Sequence, residues 1–283
     1  MKLGITNWDY IKVYPAAEAY RIMKCQGYDY ADYQQFINTE SDFFKSPLAE
    51  FERAITKEKK IAADAGIVFS QAHGPWRHPT RDLAPADRAE RMESMKKSIY
   101  GTAALGCKNW VIHPLMPYGS NSPDHPEEVM EINRNFFSEI CDYAKTLGIT
   151  VCFENMPFLK LPLSSTASIV SFVKELNRDN FKVCLDTGHA IVWGEQPSDA
   201  ARLIGKDLLT TLHIHDNDGT ADRHHRPEEG VINWTAFASA LREIGYDGVC
   251  SLECAPLRDS DHPELWTDGE LQLAATAKRL FGE

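Results

Sequence analysis

Six residues with metal-ligand side chains stand at the ends of six short apolar, β-branched runs. The runs are IVFSQAH, NWVIH, TVCFE, KVCLD, TLH and GVCSLE, and they end at His73, His113, Glu154, Asp186, His213 and Glu253. After each run come a turn or loop and then a helical pattern. Ligand chemistry at the C-terminal ends of successive strands describes a (β/α)8 TIM barrel with a metal at its mouth, since the loops after the strands carry the active site in that fold. Isolated core histidines or carboxylates would not recur at the same point of six units.

The remaining pattern agrees. Strands and helices alternate along the whole chain with no linker, repeat or low-complexity tract, which signals a parallel sheet of βαβ units. KLGITNW opens as the first strand, and YDYADYQQF reads as the second. Helices are expected over residues 15–26, 46–66, 86–105, 127–148, 164–177, 233–245 and 268–281. Pro15 and Gly27 form an N-terminal start and C-terminal stop pair for the first of them. The 283 residues suit one barrel, and residues 1–283 are read as a single domain.

Net charge is −11. So acidic a chain repels polyanions, which argues against nucleic acid as a partner and leaves a small neutral sugar acceptable. No apolar run approaches the ~20 residues of a membrane span, so no membrane partner is expected. The N-terminal residues lack the basic and apolar regions of a signal peptide. The seven cysteines include no CxxC pair and read as reduced thiols of a cytoplasmic protein. Cys152 and Cys184 precede Glu154 and Asp186 by two positions. Strand alternation turns them to the same inward face, one layer down, as packing.

Glu154, Asp186, His213 and Glu253 come from strands five to eight, whose inward tops converge. Three carboxylates and an imidazole suit Mn²⁺ or Zn²⁺, with Mg²⁺ and Co²⁺ also compatible. His73 and His113 share the strand-top position and join the candidate ligands. His189, in Asp186-Thr-Gly-His189, is placed to meet a substrate oxygen or a further metal. Asp222 and His224 have the spacing of a D-x-H ligand pair in the loop after strand seven. His215 of that loop is assigned to the substrate side, whereas Asp218 and His225 read as solvated. His78, His125 and His262 lie in polar, proline-containing loops and are given no role. Trp8 and Trp76 offer aromatic faces to a sugar ring, while Trp193 and Trp234 read as packing. No glycine-rich phosphate cradle or dinucleotide fingerprint is present.

The segments QAHGPW, VIHP, CFENMP, CLDTGHA, LHIHDNDGTADRHH, EEGVINW and SLE resemble the xylose isomerase-like TIM barrel superfamily, which contains sugar (phosphate) isomerases and epimerases and endonuclease IV. The sugar epimerase branch implies one divalent metal on Glu154, Asp186, His213 and Glu253, with Glu154 and Glu253 as the acid/base pair and His189 touching substrate. The expected reaction is α-proton transfer on a keto-sugar or sugar phosphate through an enediolate. A lyase or dehydratase acting on a keto-inositol or 3-keto-glycoside begins with the same proton abstraction. The endonuclease IV branch implies three zinc ions. His73, His113 and Glu154 would hold one, the four-residue set the second, and His189, Asp222 and His224 the third. The acidic surface favours the sugar branch. Dimers or tetramers are common in such families, so a homo-oligomer is compatible.

Overall fold

The computed structural model describes residues 1–77, 80, 82–254 and 266–282. Eight parallel strands run β1 (Lys2–Thr6), β2 (Tyr30–Tyr33), β3 (Val68–His73), β4 (Asn109–Ile112), β5 (Thr150–Glu154), β6 (Phe181–Asp186), β7 (Leu209–His213) and β8 (Val249–Leu252). Consecutive strands pair from β1 to β7, and β1 also pairs with β8. Between β7 and β8 a single bridge, Ile214 to Leu252, brings the sheet nearly to closure. There the Ile214 N–H donates to Ser251 O at 2.8 Å, and the Glu253 N–H donates to Ile214 O at 3.0 Å. The seam thus lies beside His213 and Glu253, and its main-chain bonds fix both residues at one level.

Alternation sorts side chains to two faces. On β5, Val151 and Phe153 point outward, where Phe153 packs 4.8 Å from Phe137 and 5.2 Å from Phe181 by ring centroids. Cys152 points inward and meets Val111 and Cys184 in a small buried cluster. That is the packing layer expected beneath the candidate ligands. Both faces of the strands are buried, as a helix-covered parallel sheet requires.

The expected helices form, with ends shifted by a few residues. The first spans Ala16–Gln26 and stops at Gly27, whose φ of +99° is left-handed and suits glycine. The second strand is shorter than expected. It stops at Tyr33, because the next N–H, of Gln34, turns to the Asn7 side chain at 3.2 Å and the ladder ends. Four helices had no counterpart in the sequence reading: Trp8–Val13, Asp42–Lys45, Thr187–Val192 and Pro197–Ile204. The third begins inside the DTGH segment, where Asp186 caps it by accepting the His189 N–H at 2.6 Å. The fourth supplies the crossover between β6 and β7. Among the described residues, no helix is long and apolar enough to cross a membrane.

Candidate active site

Glu154 ends β5 at the centre of the barrel mouth and is 1% exposed. Its Oε1 lies 2.9 Å from Nδ1 of His213. Its Oε2 lies 3.1 Å from Nε2 of His113 and 3.5 Å from Nε2 of His73. Oε2 nevertheless has no hydrogen-bond partner among the described residues. Nδ1 of His213 also faces Oε2 of Glu253 at 3.1 Å. One ligand atom from each of Glu154, Asp186, His213 and Glu253 falls within 4.8 Å of the others. A second group, His189, His215, Asp222 and His224, meets the same limit beside it. Oδ2 of Asp222 sits 3.3 Å from Nε2 of His189 and 3.2 Å from Nε2 of His224.

Hydrogen-bond accounting fixes several imidazoles. A carbonyl oxygen only accepts, so a ring nitrogen bonded to one carries the hydrogen. Nδ1 of His73 donates to Gly74 O at 2.8 Å, Nδ1 of His189 to Asn155 O at 2.8 Å, and Nδ1 of His224 to Glu253 O at 2.7 Å. When neutral, each ring turns a bare Nε2 towards the carboxylates. Backbone carbonyls that set the tautomer in this way are a regular feature of metal-binding histidines. The Nε2 atoms of His73 and His113 are 3.3 Å apart. Buried oxygen and nitrogen lone pairs converging at such distances, with Glu154 Oε2 unpartnered, form a donor set that fits a divalent cation.

Without a cation, protons take its part. Burial opposes charge on His213, but Glu154, Glu253 and the bond to Asp32 raise its pKa well above the ordinary value. Burial likewise opposes charge on His189, yet Asp186 and Asp222 push it up to about 10. His224 is pushed up to about 9, with Asp222 and Glu253 outweighing burial. For Glu154 burial favours the neutral acid, and the charge on His213 reverses that and holds it well below its usual range. Burial dominates only at His113, which falls to about 4 and is neutral near pH 7.

A pH dependence follows from His189 and His224. Their folded pKa values lie above the ordinary 6.5. The stability they contribute is complete below about 6.5 and is lost as pH rises through about 9 and 10. The melting temperature of chelator-treated protein is therefore expected to fall between pH 7 and pH 10. Scanning calorimetry across that range checks it, and a flat profile would remove the ion pairs with Asp222 from the account.

The mouth holds a cavity of about 210 Å³, bordered by Trp76, His113, Glu154, His189, Asp222 and Glu253 among others. That is below the ~300–1,000 Å³ of drug-sized sites and leaves room for a small molecule. Trp76 stands edge-on to His113, with centroids 4.7 Å apart. Trp8 does not border this cavity. It lines a separate one of about 340 Å³ with Tyr33, Phe43 and Glu58, because the helix Trp8–Val13 carries it away from the barrel axis. His215, expected on the substrate side, is fully buried. Its Nε2 faces Oδ2 of Asp186 at 2.9 Å, and its ring stacks 4.0 Å from that of His224. Ligand binding within the second group suits it better than contact with substrate. His225 pairs its main chain with Asp216 and shapes the loop. His125 is exposed and stacks on Tyr118. His78 and His262 lie outside the described residues. Trp193 and Trp234 donate from their indoles to Met156 O and Asp216 Oδ2, each at 2.8 Å.

Several polar residues around the site escaped the sequence reading. Asn155 pairs with the main chain of Asp186 in both directions, at 2.8 and 3.0 Å. Gln34 donates to Glu253 Oε1 at 3.0 Å. Asp32 reaches Nε2 of His213 from β2, and Gln71 of β3 donates to Asp32. Asp32, next to the last residue of the second strand, is a buried acid near a strand top, as the candidate ligands of other strands are. That signal was available, but the boundaries of the strand obscured it.

A family model for the xylose isomerase-like TIM barrel matches residues 23–276. D-psicose 3-epimerase of Ruminiclostridium cellulolyticum is 33% identical over 243 residues, 79% of this chain and 78% of that one. D-psicose 3-epimerase of Agrobacterium fabrum is 30% identical over 207 residues, 69% of this chain and 67% of that one. Protein MJ1311 of Methanocaldococcus jannaschii is 34% identical, but the match spans only 64% of either chain. Among solved structures, a D-psicose 3-epimerase in the presence of D-fructose superposes with a TM-score of 0.77 at 22% identity, covering 100% of both chains. The IolI protein with a binding zinc atom also gives 0.77, at 19% identity, covering 99% of this chain and 98% of that one.

Proposed function

The chain belongs to the xylose isomerase-like TIM barrel family, and from that premise we propose that it is a metal-dependent isomerase or epimerase of a small keto-sugar, acting by proton transfer at the carbon beside the carbonyl. Its relatives are sugar epimerases and isomerases. The observation that carries the reading is the convergence of Glu154, Asp186, His213 and Glu253 within 4.8 Å beside the mouth cavity. A divalent cation held by those four supplies Lewis-acid polarisation of a carbonyl and its neighbouring hydroxyl. Glu253 and Glu154 both border the cavity. Glu253 has the more exposed side chain of the two, at 15% against 1%. It is assigned the removal of the α-proton, with Gln34 holding its Oε1 in place. For an epimerisation, Glu154 would deliver on the other side a proton taken up from solvent, while Glu253 releases to solvent the one it removed. For an aldose–ketose shift, the carboxylate that took the proton returns it. His189 and Trp76 meet substrate hydroxyls and the ring face. The wall of Trp76, Met156, Pro157 and Phe158 limits water around the enediolate.

A ketose panel in D₂O with added Mn²⁺ tests the chemistry. Deuterium is expected on the carbon beside the carbonyl of the product, and product without solvent deuterium would point to hydride transfer. Calorimetry in buffers of different ionisation heat tests the metal. Against its burial, the surrounding carboxylates raise the pKa of His213 well above its ordinary value, so a cation bound there is expected to displace a proton, about one per ion near pH 7.5.

The group His189, His215, Asp222 and His224 favours a second reading, a multinuclear zinc phosphodiesterase. Elemental analysis separates the two. About one ion per chain supports the epimerase, and near three, with cleavage of abasic-site DNA, supports the esterase.

A further inference from the structure

We infer that Asp32 is the positioning residue of the site: it fixes His213 so that Nδ1, and not Nε2, is the nitrogen turned to a divalent cation. The inference rests on the metal-site reading above.

Asp32 ends its inward run on β2 and is fully buried. Its Oδ2 lies 3.0 Å from Nε2 of His213, 181 residues away, and accepts from the Gln71 amide at 3.1 Å. The placement depends on a slip in register. Ala31 is opposite Phe69, but Asp32 is opposite Gln71, so Ser70 is passed over. A bulge of this kind re-aims side chains. Here it sets Asp32 and Gln71 side by side. The Gln71 amide also reaches Leu212 O at 3.3 Å. Gln71 thereby ties Asp32 to the residue just before His213.

His213 and His215 are held differently from three other imidazoles of the site, His215 through Nε2 on Asp186 at 2.9 Å. His73, His189 and His224 are held through Nδ1 on main-chain carbonyls. His213 is held through Nε2 on a carboxylate. Asp32 as a carboxylate has no hydrogen to give, so Nε2 carries it. In the neutral ring that cation binding requires, the Nδ1 lone pair faces Glu154 Oε1 at 2.9 Å and Glu253 Oε2 at 3.1 Å. A cation bound there takes the place of the Nδ1 hydrogen that the charged ring turns to these two oxygens. A carboxylate partner also makes the imidazole a stronger donor than a carbonyl would. The His213 ring is further aligned by His73, 5.6 Å away and nearly parallel at 12°. Nothing else among the described residues bonds Nε2 of His213.

The full chain, labelled with nitrogen-15 at histidine and loaded with cadmium-113, provides a test that needs no change at Asp32. Scalar coupling between the metal and Nδ1 of His213 is expected, with Nε2 still protonated. Its assignment comes from its loss in His213→Asn. Coupling to Nε2 would overturn the inference. In parallel, Asp32→Ala is expected to weaken Mn²⁺ binding by about 10- to 100-fold by calorimetry. Asp32→Asn, which keeps an acceptor for Nε2, is expected to restore part of that loss and the Nδ1 coupling. If the unaltered chain binds Mn²⁺ and Asp32→Ala binds it equally well, the inference falls and the metal reading stands. If the unaltered chain binds no divalent ion, both fall.

Discussion

Glu253→Gln is expected to lose at least ~10²-fold in rate on the protein's ketose, the lower end for a positioned acid/base group. The substitution keeps the shape and one oxygen but cannot take a proton. Its scaffold role is carried by the main chain. The Glu253 N–H closes the β7–β8 seam, and its carbonyl holds His224. Both survive the change, so the melting temperature is expected to stay close to that of the unaltered chain. Solvent deuterium should stop entering the substrate α-position in step with the lost rate. A near-normal rate would mean that the proton is handled elsewhere. Glu154→Gln is expected to lose comparable rate and also to bind metal more weakly, because Glu154 faces His73, His113 and His213 together.

Asp216→Ala is expected to cost stability rather than chemistry. Asp216 is fully buried one residue beyond His215. Its carboxylate accepts from the N–H groups of Asn217, Glu228 and Ile232 at 2.9, 3.1 and 3.2 Å, and from the indole of Trp234 at 2.8 Å. These bonds tie the loop after β7 to the start of the helix Trp234–Glu243. Hydrogen bonds to a charged group contribute about 1.5–3 kcal/mol each, and buried donors left unpaired add to the loss. A total of about 3 kcal/mol or more is expected. At about 2–4 °C per kcal/mol for domains approaching this size, the melting temperature should fall by roughly 6–12 °C. Asp216→Asn keeps one acceptor oxygen and should fall in between. A drop of only ~1 °C in Asp216→Ala would show that water replaces the carboxylate.

These two acids show how far the sequence could be read. Both follow apolar strand runs, and both precede turns. Only Glu253 was singled out, since its run ends where the repeating unit puts the mouth. Asp216 lies three residues past the strand, where local pattern no longer gives direction.

The sequence by itself determined the barrel, the placing of His, Asp and Glu side chains at its strand tops and the packing layer of Cys152 and Cys184. The reason is periodicity: a two-residue repeat assigns each strand residue to a face, and βαβ alternation puts every strand top at the same end. Only the tertiary structure decided which inward groups meet. The Ser70 slip aligned Asp32 with Gln71 and brought Asp32 to His213. The Asp186 cap turned DTGH into a helix and aimed His189 at Asp222. The course of the loop after β7 buried His215 against Asp186, and the helix after β1 drew Trp8 from the mouth. Register, caps and loop paths are set by contacts between residues far apart in the chain, and no local repeat encodes them.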